Sequence, residues 1–360
     1  MATREEIKLQ PGVLRTLREA SGYSIEEIAK KLKISEEKMV SLEEGNVGIT
    51  LAQIKKLANI YKRPLAAFFS DSIPELPKLA DYRVNREKKL TPNVYLAERR
   101  AYYLSEKIKE LTNKRHQIPS FPEELSSEEL AKEFKKKLKI ELVKSKESDE
   151  LLAHYKKVLE DAMTIIIIED LLKADDVRAF SIYSDIPVIV LNETDKSSIK
   201  LFSLFHEICH LLKRNVGICS LEIEQQDQDI ESYCNSFAAE FLVPLDDLKK
   251  EYKNFEQIND DVINQITKIF GVSKQVIMLR LLELRYINRD MYEAFKKNMQ
   301  EIIAQKEFGR RNWNKVFLNR VGILSLNEVK KAYNDGKISF YEASSILGLK
   351  VKYAEKFIAM

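Results

Sequence analysis

Few of the 360 residues are of the kinds that build cross-links or carry redox chemistry. Cysteine occurs three times, at 209, 219 and 234, with no CxxC pair. That excludes a disulfide framework and a cysteine-rich zinc module, and it leaves the thiols as reduced packing residues of a cytoplasmic protein. No apolar run approaches the roughly 20 residues that span a bilayer. The opening Met-Ala-Thr-Arg-Glu-Glu has no signal-peptide character, so a soluble, intracellular protein is expected. Excess charge is also lacking: 59 Lys and Arg face 56 Asp and Glu, a net charge of +3. Any contact with a polyanion must therefore come from a local patch. Histidine is scarce too, with four in the chain, yet two of them lie only one helical turn apart.

Those two sit in Leu201-Phe-Ser-Leu-Phe-His206-Glu207-Ile-Cys-His210-Leu-Leu212. At 3.6 residues per turn His206 and His210 share one face of a helix, where two imidazoles can grip one cation. Glu207 follows the first histidine, completing the zinc-metallopeptidase signature in which the glutamate takes a proton from water. The flanking Leu, Phe and Ile residues make the helix apolar nearly all round, hence buried. Unpaired His, Glu and His on such a helix are costly, and a metal answers that cost.

A catalytic zinc usually has three protein ligands. No histidine follows His210, so the third ligand is a carboxylate, or else His116 or His154 from upstream. A second apolar-faced helix is expected over 227–243 and ended by Pro244; it offers Glu231, with Glu240 as the alternative. Glu231 could reach the metal, with Asn235 one turn on to hydrogen-bond the outer nitrogen of His206 or His210. Glu240 reads as a solvated surface residue.

The run Phe202-Ser-Leu-Phe-His-Glu-x-x-His-Leu-Leu followed by Glu231-x-x-x-Asn-x-Phe-Ala-Ala-Glu-Phe-Leu-x-Pro resembles the ImmA/IrrE family of zincins over about residues 160–245. These are metallopeptidases that cleave or inactivate transcriptional repressors. The resemblance implies His206, His210 and Glu231 as metal ligands and Glu207 as the catalytic base. Phe205 and Cys234 depart from the alanines usual in that family, and both are apolar. Zn²⁺ is the expected cofactor, although Mn²⁺ or Fe²⁺ also suits a two-histidine, one-carboxylate set. Tyr183 and Tyr233 are candidates for stabilising an oxyanion.

Residues 11–71 read as five short helices, with Ser24, Ser35 and Thr50 as caps and Gly45 as a stop. The layout, including Ser35-x-x-x-Met-x-x-Leu-Glu-x-Gly45, resembles the Xre/Cro-type repressor domain. In such a domain the third helix enters the major groove, so Ser35, Lys38 and Lys33 are the candidate DNA contacts. Glu36 and Glu37 stand where phosphate or base contacts are expected, and residues 1–72 hold twelve basic against ten acidic residues. The domain therefore reads either as a weak DNA binder or as a protein-docking module.

Pro74, Pro77, Pro92 and the charged run 83–89 mark a linker, in which Leu79-Ala-Asp-Tyr-Arg could dock on a neighbour. Helices are expected over 94–115, from Ser126 or Ser127 to about 140, and over 147–161. Strands are expected at 164–169, 179–183 and 187–192, where β-branched residues concentrate. Zincins hold peptide substrates on an edge strand, a role that falls here to residues 186–192. Two further helix–turn–helix patterns follow, at 263–284 and 338–357. The segment 306–360 is the most basic, with eleven Lys and Arg against five acids.

The expected fold is mainly α with a small β-sheet. A helix-turn-helix domain (1–72) and a linker (73–93) lead to a zincin-like metallopeptidase domain (94–300), and a basic helical unit (301–360) follows. The expected function is an intracellular zinc endopeptidase acting on a regulatory protein such as a repressor, and targeted by the helix-turn-helix domain. The alternative is a DNA-binding regulator, or an antitoxin-like protein, whose zincin domain senses without turnover.

Overall fold

The computed structural model describes residues 6–70, 90–144, 147–173, 177–213, 224–253, 258–303 and 313–358. Most of the expected linker, with its Leu79-Ala-Asp-Tyr-Arg segment, lies outside these residues, as does Cys219. Two compact units are present: residues 1–100 with 171–177, and residues 101–170 with 178–360. The architecture is mainly α, 65% helical with two small sheets, as the sequence predicts.

The first unit runs β1 (Glu6–Ile7), α1 (Val13–Glu19), α2 (Ile25–Leu32), α3 (Glu36–Glu43), β2 (Ile49–Thr50), α4 (Leu51–Tyr61) and a 3₁₀ turn at Leu65–Phe68. It ends in the first part of α5 (Pro92–Thr112). The expected caps form. Ser24 and Thr50 make reciprocal capping boxes with Glu27 and Gln53, and the Ser35 hydroxyl accepts from the Lys38 amide. Lys33 closes α2 in the left-handed conformation, setting the angle at which α3 leaves. Ile28, Met39, Ile54, Leu57 and Tyr61 are fully buried between the helices. Beneath them Arg18 donates to both carboxylate oxygens of Glu43 at 2.6 and 3.0 Å, tying α1 to α3. The two-residue strands pair antiparallel, a small addition that no alternation in the sequence announces.

The second unit continues through α6 (Ser127–Leu138), α7 (Ser148–Met163), β3 (Ile166–Asp170), β4 (Ala179–Ile182), β5 (Val188–Asn192), α8 (Ser197–Lys213) and α9 (Glu224–Leu242). It is completed by α10 (Leu245–Tyr252), α11 (Asp260–Phe270), α12 (Lys274–Glu283), α13 (Arg289–Ile303), α14 (Trp313–Val321), α15 (Ile323–Asn334), α16 (Phe340–Ile346) and α17 (Val351–Ile358). The strand order is β3-β5-β4, with β5 parallel to β3 and antiparallel to β4. Residues 186–192 therefore supply the central strand, not the expected edge. The reason is visible in their composition. Val188, Ile189, Val190 and Leu191 are all fully buried, as are Ile165 to Ile168, because both sheet faces are covered. Ile165, Ile167, Ile189 and Leu191 join the core shared with α7, α8 and α9, while α14 and α15 contact β3. Gly322, between α14 and α15, has φ +77, and a Cβ there would meet the Ile167 carbonyl at 3.2 Å and the Glu160 carboxylate at 2.8 Å. The close approach requires glycine.

A buried charge cluster fixes the start of α8. Lys156 of α7 and Lys200 of α8 donate to the two oxygens of Glu169 on β3 at 3.2 and 2.6 Å, and all three residues are buried. Burial works to raise the Glu169 carboxyl, but the two ammonium groups hold it below its ordinary value.

Candidate metal centre

The apolar residues around the histidines lock α8 against its neighbours. Phe205 stacks on Phe241 of α9 at 3.8 Å between centroids, and Tyr155 of α7 meets it edge-on. A large ring at position 205 is thus a packing element between α8 and α9.

That packing brings His206, His210 and Glu231 together, with one ligand atom from each within 4.8 Å of the others. The two Nε2 atoms are 3.0 Å apart, and each lies 3.2 Å from a Glu231 oxygen. A tetrahedral zinc with bonds of about 2.0–2.1 Å separates its ligands by about 3.3 Å, so the three donors fit the ion. Their chemistry fits as well. Two imidazole nitrogens face each other across a carboxylate, an arrangement that calls for a cation between them. Burial works against a charge on His210, yet hydrogen bonds with Cys234 and Glu231 and the charge of Glu207 prevail and push it up to about 11. Burial likewise works to raise Glu231, but its hydrogen bonds to His206 and His210 hold it well below the carboxylate range.

The surrounding residues orient these groups. Asn235 Oδ1 lies 3.0 Å from His206 Nδ1. An oxygen there requires Nδ1 to carry the proton, which turns the Nε2 lone pair toward the cluster. The 206–235 and 210–231 pairings show that α8 and α9 run antiparallel. Glu207 is buried, and its Oε2 accepts a hydrogen bond from the Ser181 hydroxyl of β4 at 2.8 Å. Ser181 was not among the sequence candidates; its only signal was a polar position within the apolar strand 179–183.

Other candidates lie elsewhere. Glu240 is outside the cluster, and it is not solvated as expected. It is 3% exposed and ion-paired with Arg280 of α12, which is itself fully buried. No periodicity argument could have found an arginine forty residues away. The Tyr233 hydroxyl donates to the Leu125 carbonyl at 2.7 Å. Tyr183 packs on His116 with centroids 5.1 Å apart, and His154 is exposed beside Tyr155. In the first unit Ser35 serves as the cap of α3, while Lys33 and Lys38 are exposed next to exposed Glu36 and Glu37.

Two family models match the chain. Residues 160–282 match the IrrE N-terminal-like domain, and residues 12–67 match a helix-turn-helix domain. The chain thus carries a helix-turn-helix domain and an IrrE N-terminal-like domain. The IrrE-like match spans β3 to α12 and contains the metal-ligand cluster, Glu207 and Asn235. No curated protein matches the sequence. Among solved structures, a Mycobacterium tuberculosis transcriptional regulator is similar at 14% identity and a TM-score of 0.34, over 52% of this chain. The match spans about half of that chain, 51%. No helix among the described residues is long and apolar enough to cross a membrane.

Proposed function

We propose that the IrrE-like protein is a zinc-dependent endopeptidase acting on a regulatory protein such as a transcriptional repressor. The observation that supports this most directly is the near-tetrahedral spacing of His206, His210 and Glu231, with a buried carboxylate, Glu207, one residue from the first ligand. Zinc bound by this set supplies Lewis acidity toward a peptide carbonyl and lowers the pKa of water. Glu207 takes the proton from the attacking water and returns it to the leaving amine. Ser181 holds Glu207 in place by its hydrogen bond. Asn235 keeps His206 in the ligating tautomer.

The peptide lies along β4. This strand is at the sheet edge, packs against α8 and carries Ser181, so an extended segment added there runs past Glu207. In this reading residues 1–72 select the target and 94–300 cleave it, while the basic helices of 301–360 belong to the same compact unit as the peptidase core, with α14 and α15 on β3. The test is zinc-loaded protein against a denatured cellular peptide library, with new N-termini read by mass spectrometry. Cleavage is expected from the native protein and not from Glu207→Gln, both holding equal zinc. A native protein that holds zinc and generates no new termini refutes the reading.

A further inference from the structure

The chain contains the helix–turn–helix unit more than once, and the copies differ in a way that bears on nucleic acid. Residues 24–43 and 339–358 correspond at one constant offset. Ser24 and Ser339 both cap the first helix, each with a reciprocal glutamate, Glu27 and Glu342. The turn is the same. Lys33 (φ 60) and Gly348 (φ 67) occupy the left-handed position. The amides of Lys33 and Ile34 donate to Lys30 and Ala29, and those of Gly348 and Leu349 to the matching Ser345 and Ser344. The second helices are then α3, Glu36–Glu43, and α17, Val351–Ile358, eight residues each. Buried Met39 and Ala354 occupy the same inward position.

A third such pair, α11–α12, turns at Gly271 with Ser273 as cap. Its second helix is spent on packing: Ile277, Arg280 and Leu281 are fully buried, with Arg280 held by Glu240. On its remaining outward side, Gln275, Leu279, Leu282 and Glu283 offer no positive charge to a phosphate.

The two exposed second helices carry opposite charge. Around α3 the cap and first turn read Ser35-Glu36-Glu37-Lys38, and hydrogen bonds from its own amide and Ser35 hold the Glu37 carboxyl below its ordinary value, so it stays ionised. Around α17 the sequence has Lys350, Lys352 and Lys356 against Glu355. Val351 and Tyr353, at the first turn where a recognition helix meets base edges, are 50% and 55% exposed. The inner side of α17 is covered, with Phe357 against Phe317 of α14 at 4.1 Å between centroids.

We propose that α16–α17 is a second DNA-reading helix-turn-helix, and that α17, rather than α3, makes the principal contact with duplex DNA. Lys350 and Lys356 meet phosphates, and Val351 and Tyr353 face the major groove. The assignment is independent of the peptidase reading, since it uses none of the groups around His206.

The test is fluorescence anisotropy of the full-length protein with a mixed-sequence DNA duplex across a salt series. Lys350→Gln with Lys356→Gln should weaken binding at low salt by about tenfold or more. Removing one phosphate-binding lysine should flatten the log–log salt dependence by about 0.9. Tyr353→Ala should lower the preference for a selected sequence more than the affinity for a random one. Circular dichroism checks that each variant is folded; the substituted lysines are exposed, so folding should persist. Three results would overturn the proposal: no duplex binding by the native protein at low salt, a greater loss from Lys33→Gln with Lys38→Gln than from the α17 pair, or binding confined to RNA.

Discussion

Replacing Asn235 with alanine tests whether the cation site depends on the proton of His206 being held in place. The Asn235 oxygen is 3.0 Å from Nδ1. Its removal frees the imidazole to rotate and to place its proton on Nε2, the atom aimed at the cluster. Outer hydrogen-bond partners of metal-bound histidines are worth about 10–100-fold in affinity, or about 1.4–2.8 kcal/mol at 1.4 kcal/mol per tenfold. Asn235 is exposed on α9, so truncation opens no cavity, and the metal-free protein should lose no more than about 0.5 kcal/mol of stability. Asn235→Asp keeps the acceptor and adds negative charge, and should bind zinc at least as tightly as the native protein. The assay is competition against a zinc-chelating fluorophore at fixed pH, with denaturant melts of the metal-free proteins alongside. Unchanged zinc affinity in Asn235→Ala, or a weakening matched by global destabilisation, would refute the argument.

Glu231→Ala should remove most zinc affinity and barely change folding, whereas Glu240→Ala should spare the site and destabilise the fold by about 1.5–3 kcal/mol, because buried Arg280 loses one charged partner and keeps Glu283 and the Val243 carbonyl; urea melts and metal titrations separate the two. Because the metal-free His210 holds its proton up to about 11, zinc must displace it, and affinity should fall about tenfold per pH unit lowered near neutrality, with proton release measurable by calorimetry in two buffers. Glu160 is fully buried, and burial pushes its carboxyl from 4.5 up to about 7 against the hydrogen bonds that favour its charge. The folded state therefore holds this proton more tightly, so its contribution is complete below about pH 4.5 and roughly 3 kcal/mol is lost as pH rises through about 7. Glu160→Gln should flatten that window in urea melts at pH 5 and pH 8, and an unaltered pH profile would show that the group titrates normally.

What short-range spacing controls was readable from the chain alone. His206, Glu207 and His210 are set by the pitch of one helix, and Ser24, Ser35, Thr50 and Ser126 by hydrogen bonds reaching three residues. The partnership of α8 and α9 was legible because two apolar faces so close in sequence have each other to bury. Strand order was not: Ile165–Ile168 and Val188–Leu191 lack polar alternation, so nothing in them says which edge is left open. Neither the hydroxyl that Ser181 gives Glu207 nor the burial of Glu240 against Arg280 has a periodic signature, since each joins elements distant in the chain. Three helix–turn–helix patterns looked alike as sequence. Tertiary packing alone decided that α12 gives Val276, Ile277, Met278, Arg280 and Leu281 to the core while α3 and α17 bury fewer of their described residues, because burial depends on what the rest of the chain lays against a helix and not on the helix itself.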